Sequence, residues 1–249
     1  VEVIEGGSRA APLNVGIGRA RGRYIAVFDD DDLLFAHWVE AFRAGSDRAP
    51  GKMVRAVVAN QEVVPEAWPD GRFAFRTTSW PKAEYPDTFD QLEHLLVNYS
   101  PFMSWAFPQA LFDLYGVRFD EELAVCEDWD VILRGSLLVG VEDVAELTAL
   151  YRRWKGGTSS YSVHTKAEWR AAEERVVDRI DGAVLMLPPG SMQEARRLVG
   201  YAQVHHHYRF LFRGNQLRFP LNLGWRIASP GVRIAVRVRD RIRRSRGLA

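Results

Sequence analysis

Four consecutive aspartates, Asp29 to Asp32, interrupt an apolar run in "YIAVFDDDDLLF". Adjacent carboxylates repel one another and resist burial, so the chain must surface there between two segments that pack. The run before them, "RYIAVF", is short and uninterrupted, which predicts a buried parallel strand. The aspartates then sit at its carboxyl end. After them, "LLFAHWVEAFRAG" reads as an amphipathic helix closing at Gly45, and "KMVRAVVAN" as a further strand. Upstream, "VEVIE" alternates like a strand, "GGSRAAP" is a loop, and "LNVGIGRARG" has near-helical spacing that stops at Gly22. Strand, helix, strand, helix, strand predicts an α/β sheet with parallel strands, in which ligands bind at the carboxyl ends.

The rest of the chain is read more coarsely. Loops and short strands are expected from Gln61 to Tyr99, where prolines recur, with a helix across "TFDQLEHLLVN". "PQALFDLYGVRFDEEL" predicts a short helix and a turn at Gly116. "CEDWDVILRGSLLVG" predicts a helix whose acids meet the positive end of its dipole. "ELTALYRRW" reads as a strand or edge segment, and "KGGTSSYS" as a flexible loop. "KAEWRAAEERVVDRIDGAVLML" predicts a long helix ended by Pro188, Pro189 and Gly190. The remainder is expected to be mostly helical and basic.

Composition limits the function classes. The 249 residues are 47% hydrophobic and 26% charged, a globular balance. Net charge is +1, which gives no general argument for nucleic acid as a partner. Cys126 is the single cysteine, so an intrachain disulfide and a thiolate zinc cluster are both excluded. No stretch is apolar enough to span a bilayer, and the opening residues lack a signal-peptide pattern.

Three readings of the aspartates compete. One is an acidic helix N-cap. The second is a site for Mg²⁺ or Mn²⁺, hard cations that bridge one or two carboxylates to a diphosphate. In an extended segment Asp29 and Asp31 would share a face, with Asp30 and Asp32 opposite. The third is a D-x-D-x-T/V aspartyl phosphatase of the haloacid-dehalogenase type. Leu33 and Leu34 stand where that pattern calls for Thr or Val, so the metal reading is preferred.

The flanking residues carry a resemblance. "LNVGIGRARGRYIAVFDDDDLLFAHWVEAF" resembles the central stretch of family 2 glycosyltransferases of the GT-A fold, through Asn14, Gly16, Ala20, Gly22, Tyr24, Ile25 and the aspartates. "GVRFDEELAVCEDWDVILRG" resembles the same family's second motif, through Phe119, Asp120, Glu121, Glu127, Asp128, Asp130 and Arg134. "LYRRWKGGTSSYS" is a softer third match. Together they cover roughly Val1 to Ser162. The resemblance implies a GT-A mixed sheet flanked by helices over residues 1–162, followed by a helical region over 163–249. It implies an inverting transfer of a sugar from a nucleotide-diphospho-sugar to a glycan or lipid-linked acceptor, as in cell-envelope polysaccharide synthesis. Asp31 and Asp29 would hold Mn²⁺ or Mg²⁺. Asp29, Asp30, Asn14 and Arg21 would bind the donor. Asp128 would be the general base, with Glu127 raising its proton affinity by repulsion. Trp129, Trp105 and Arg134 would contact acceptor or sugar.

Two departures are expected to matter. "VEVIE" resembles a strand that follows the nucleotide-cradling start of the family pattern, so roughly 60 to 80 residues of that pattern have no counterpart here. Lys155 stands where many relatives have a metal-binding histidine; it would be solvated or would pair with a donor phosphate. His164 and the adjacent His205, His206 and His207 read as structural or surface residues, and Cys126 as a small packed one. "GVRIAVRVRDRIRRSRG" puts Ile234, Val238 and Ile242 on one helical face and arginines on another. It reads equally as a packed terminal helix or as a membrane-surface element at the cytoplasmic leaflet. A non-catalytic remnant that binds a partner or membrane is the alternative from a different class.

Overall fold

A computed structural model describes residues 9–67, 73–156 and 159–200. The chain forms two compact units, Val1–Glu194 and Ala195–Ala249. The expected first strand, the three adjacent histidines and the basic tail lie outside the described residues.

Helix α1 (Ala10–Arg19) leads into strand β1 (Tyr24–Ala26); β2 (Leu33–Leu34) and helix α2 (Trp38–Arg48) follow the aspartates. Next come the long strand β3 (Met53–Ala67), β4 (Phe73–Thr77), helix α3 (Gln91–Leu96), β5 (Trp105–Pro108) and helix α4 (Gln109–Asp113). Helix α5 (Glu127–Val139), strand β6 (Val141–Trp154), and helices α6 (Ser160–Val163) and α7 (Lys166–Asp181) follow.

The sheet runs β1-β5-β3-β6-β2, with β4 on β3. β3 and β6 pair in parallel, and the other pairs are antiparallel. The sheet is therefore mixed, as the resemblance implies, and the parallel pairing read from the strand–helix order is confined to β3 and β6. β1 is antiparallel to β5, and β5 to β3, so the two reversals cancel. β1, β3 and β6 thus all point their carboxyl ends the same way, which brings the aspartates beside the end of β6.

Residue alternation sorts the core. Met53, Trp105 and Phe107 face a cluster with Ile17 of α1, Leu111 of α4 and Ile132 of α5. Val54 and Ala106 face the other way, onto Ala41 and Phe42 of α2. The sheet is therefore sandwiched between α2 and the layer of α1, α4 and α5. Helix α7 packs Ala172, Val176 and Ile180 against Trp129 and Leu133 of α5. Its N-terminus carries a reciprocal cap between Thr165 and Glu168.

Several expectations change in detail. "RYIAVF" supplies three strand residues, half-buried at most, paired antiparallel to β5 rather than buried in parallel. Leu33 and Leu34 are not helical: they pair with Leu150 and Ala149, and Phe35 N–H bonds the Thr148 carbonyl, so α2 starts only at Trp38. It continues past Gly45, because that glycine packs directly on Val54 and Val144. β3 runs on through Pro65, beyond the last β6 pairing at Val63, where Pro65 has only the β4 side to meet. β6 pairs with β3 along most of its length and meets β2 only at Ala149 and Leu150, so the rest of it lies at the sheet edge, in line with the edge reading of "ELTALYRRW". Helix α7 ends at Asp181, closed by Gly182. No helix among the described residues is long and apolar enough to cross a membrane.

Candidate active site

The aspartates form a turn, not an extended strand end. Asp32 N–H bonds the Asp29 carbonyl at 3.3 Å. The alternation that would have put Asp29 and Asp31 on one face is therefore absent, and each carboxylate has its own surroundings. Asp30 is exposed. Asp31 is exposed, and its Oδ2 accepts the Trp154 indole N–H at 2.9 Å. Asp32 turns inward and is only 6% exposed. Its Oδ1 accepts the Arg152 backbone N–H at 2.7 Å, while Oδ2 has no partner. Burial pushes the Asp32 carboxyl up to about 8. The turn is thus fastened to the end of β6.

The second motif starts α5. Cys126 precedes it with φ of 66°, a left-handed conformation uncommon for a side chain of this kind. This sharp entry places Glu127 and Asp128 in the first helical turn. Burial pushes the Cys126 thiol up to about 12, so it is inert packing. Glu127 is 3% exposed. Burial, reinforced by Asp128, raises its carboxyl above the usual range, and Arg9 opposes the rise. Asp128 is half-buried. Its Oδ1 accepts the Trp129 N–H at 2.7 Å and its Oδ2 accepts Asn98 Nδ2 at 3.2 Å. Burial is the leading cause of the rise in its proton affinity, and the Trp129 N–H, Arg9 and the Asn98 amide oppose it.

Arg9 joins the two motifs. Its Nε lies 2.7 Å from Glu127 Oε1, and its NH2 lies 3.5 Å from Asp29 Oδ2. Its NH1 donates to Ser160 Oγ at 3.2 Å. Burial raises the Asp29 carboxyl, Arg9 pulls it down, and Asp31, Asp128 and Asp30 raise it again. Asp29, Glu127 and Asp128 therefore share one electrostatic site, although the second motif lies about a hundred residues downstream of the first. Arg9 stands in the loop "GGSRAAP" and nothing local in that loop singles it out. Asn98 was missed for the same reason.

Other predicted residues take structural places. Asn14 bonds the Phe119 carbonyl, the Glu121 carboxylate and the Phe119 N–H, each at 2.9 Å, so it ties α1 to the second motif. Arg21 is exposed on the connection between α1 and β1, at the opposite end of β1 from the aspartates. Trp105 is fully buried in the core. Trp129 is 5% exposed and donates its indole N–H to the His94 carbonyl at 2.8 Å. Neither presents a ring face to solvent. Arg134 bonds Asp130 and the Arg118 carbonyl, and Asp130 also binds Arg179 of α7. Lys155 pairs with Glu62 at 2.7 Å on the outer part of β3. His164 lies 3.9 Å from Glu168.

Among the described residues no group of three or more His, Cys, Asp or Glu is placed to cage a metal ion. The turn nevertheless offers hard carboxylate oxygens on Asp29, Asp30 and Asp31. That suits a cation held by one or two carboxylates and completed by a substrate diphosphate, as Mg²⁺ sites commonly are. A cavity of about 380 Å³ lies elsewhere, at the start of β6, lined by Gln91, Ser136, Gly140 and Asp143, and no carboxylate of the aspartate turn or of Glu127 and Asp128 lines it.

No protein-family model matches the chain, and no characterised protein matches it in sequence. Solved structures do match in fold. "S. aureus TarS 1-349 in complex with UDP-GlcNAc" matches with a TM-score of 0.53 at 17% identity, over 72% of this chain and 49% of that one. The same protein in complex with UDP matches with a TM-score of 0.50 at 15% identity, over 72% and 47%. This chain thus spans about half the length of the solved chains it resembles, and with them it shares the mixed α/β fold of the GT-A type.

Proposed function

We propose that the site serves an inverting glycosyl transfer from a nucleotide-diphospho-sugar to a hydroxyl of a glycan or lipid-linked acceptor. The observation that carries this reading is the Arg9 bridge. It unites the aspartate turn at the strand ends with the acidic start of α5, where a diphosphate and an attacking hydroxyl must meet. The fold likeness to a protein solved with UDP-GlcNAc and with UDP supports a nucleotide-sugar as the donor.

The chain's own residues divide the work. Asp29, Asp30 and Asp31 face the donor, with Asp31 and Asp29 the candidate ligands of Mn²⁺ or Mg²⁺. A bound divalent cation would supply Lewis-acid neutralisation of the departing diphosphate. Asp128 takes the proton of the acceptor hydroxyl as its oxygen bonds the anomeric carbon. The bond from that carbon to the diphosphate oxygen breaks, and its electron pair leaves with the nucleoside diphosphate. A single displacement inverts the anomeric centre, by the logic that separates one-step from two-step glycoside chemistry. Burial around Asp128 favours this role, because a base must hold a proton more tightly than an ordinary aspartate does. Glu127, committed to Arg9, holds the positive charge between the two motifs.

Calorimetric titration of UDP and a panel of nucleotide-sugars, with and without Mn²⁺, tests the reading. Wild type should bind in a Mn²⁺-dependent manner, Asp31→Ala should lose that dependence, and Asp128→Asn should bind but not transfer. Binding unchanged in Asp31→Ala would remove the metal assignment. Absence of binding by wild type would leave a non-catalytic, partner-binding role for this chain.

A further inference from the structure

We infer that Asn98 is a positioning residue for the base, held in place by a row of hydrogen-bonded polar groups whose middle members, Ser100 and Arg55, are buried. The inference rests on the reading of Asp128 as the base. Asn98 lies just past α3, where Val97 has left the helix for an extended conformation. Its Oδ1 accepts the Ser100 N–H at 3.2 Å. That contact fixes which end of the amide faces which way, because only the oxygen accepts. The Nδ2 end must then face Asp128 Oδ2, which it does at 3.2 Å.

The row continues inward. Ser100 is 3% exposed, and its Oγ accepts Arg55 Nε at 3.0 Å. Arg55, also 3% exposed, donates to Asp143 Oδ1 at 3.3 Å and to the Pro86 carbonyl at 2.6 Å. Asp143 Oδ2 in turn accepts the Phe89 N–H at 2.8 Å. Asp143, Arg55, Ser100, Asn98 and Asp128 therefore form one chain from the start of β6 to the start of α5. Each link is anchored to backbone or to a buried charge, so the amide at its end has little freedom. Hydrogen-bonded polar networks with a buried centre of this kind rigidify what they touch.

A neutral donor suits this position. The other charged or titratable groups acting on the same locality are Glu127, Arg9, Asp29 and the Cys126 thiol. Two are acids, and their repulsion with the surrounding burial would hold a proton on Asp128. The Asn98 amide favours the ionised form and orients the carboxylate without competing for the proton. Together with the Trp129 N–H it gives each carboxylate oxygen one donor, which fixes the plane of the base.

The test uses the full chain with Asn98→Ala and Asn98→Asp, following UDP release from UDP-GlcNAc, or from whichever member of a UDP-, GDP- and dTDP-sugar panel wild type turns over. Donor KM should hold while kcat falls roughly tenfold, the worth of one hydrogen bond to a charged group. The acidic limb of the kcat/KM profile should move to higher pH in Asn98→Ala, and further in Asn98→Asp, which keeps the shape but adds a negative charge. A raised KM at unchanged kcat, or an acidic limb that stays put in the folded variants, overturns the inference while leaving the transferase reading intact. If Asn98→Ala fails to fold, the isosteric Asn98→Asp carries the test. Collapse of both, seen as loss of near-ultraviolet circular dichroism, assigns Asn98 to the fold and overturns the inference. Lack of wild-type turnover across the panel overturns the transferase reading and this inference with it.

Discussion

The Arg9 guanidinium lies 2.7 Å from the carboxylate of Glu127, and the two residues differ sharply in exposure, at 45% and 3%. Glu127 is the partner that cannot turn to water. Removing Arg9 leaves it either an uncompensated buried charge or a proton acceptor. A fully buried pair broken this way loses about 3–5 kcal/mol; the partial exposure of Arg9 brings the expected loss for Arg9→Ala down to about 1–2 kcal/mol. Glu127→Gln removes the charge that needs compensation, so adding it to Arg9→Ala should cost less than the sum of the two single changes. Urea denaturation of the four proteins at neutral pH measures this. A coupling of about 1 kcal/mol is expected, and additivity within about 0.3–0.5 kcal/mol would show that the pair is not a unit.

Asp32 should tolerate Asn and resist Ala. Its Oδ1 holds the Arg152 N–H at 2.7 Å, and its own N–H closes the aspartate turn. Asparagine keeps an acceptor of the same reach. Alanine strands a backbone donor against the interior and loosens the turn from β6, at about 1–3 kcal/mol. Thermal melting ranks the variants, and UDP titration reads the turn. Asp32→Ala should weaken both stability and UDP affinity, and Asp32→Asn should change each far less. Equal losses in the two variants would mean that the charge, rather than the acceptor, is what the position requires.

Much of this arrangement was legible before any fold was known, and the reasons differ by residue. The aspartates and the "CEDWD" acids stand out because carboxylates beside apolar runs are locally anomalous. The parts that carry them, α5 and the strand-to-turn step after β1, follow from apolar periodicity. What joins them does not. Arg9 is one of 33 basic residues, and only the path of the chain from α1 to α5 makes it special. Asn14 has the residue type of a donor ligand, yet its amide is spent on Phe119 and Glu121. Trp105 and Trp129 lie near the second motif in sequence, and burial decides against a surface role. Leu33 and Leu34 were absorbed into the helix because a two-residue strand has no period of its own; only its pairing with β6 reveals it.

His94 should make the fold acid-sensitive. It is 2% exposed, packed against Phe89 and Trp105, and its Nε2 has no partner. Burial, with Arg55 nearby, pushes the imidazole down to about 3 from its usual 6.5. Between those values the unfolded chain binds a proton that the folded protein refuses, so stability rises with pH across the window and is lost as pH falls below about 6.5. From pH 7 to pH 5 the loss from this residue is about 2 kcal/mol. His94→Leu removes the titrating group. Urea midpoints at the two pH values should therefore converge in the variant relative to wild type, after allowing for its altered packing at pH 7. An unchanged difference between the two pH values would show that His94 does not titrate in this way.

Two helical glycines should respond in opposite directions to the same change. Gly18 ends α1 in open space, and an added Cβ meets nothing within 4 Å. Alanine there restricts the unfolded chain and improves helix propensity, by up to about 1 kcal/mol. Gly45 gains the same propensity but sits where α2 touches the sheet. Its added Cβ would lie 2.5 Å from Val54 Cγ1 and 2.8 Å from Val144 Cγ2. Both neighbours are β-branched, buried and fixed on paired strands, so neither can swing aside. The helix must instead lift from β3 and β6, at about 1–3 kcal/mol, which exceeds the propensity gain. Gly18→Ala should raise the melting temperature and Gly45→Ala should lower it. Stabilisation by Gly45→Ala would show that α2 does not pack on the sheet as closely as the structure has it.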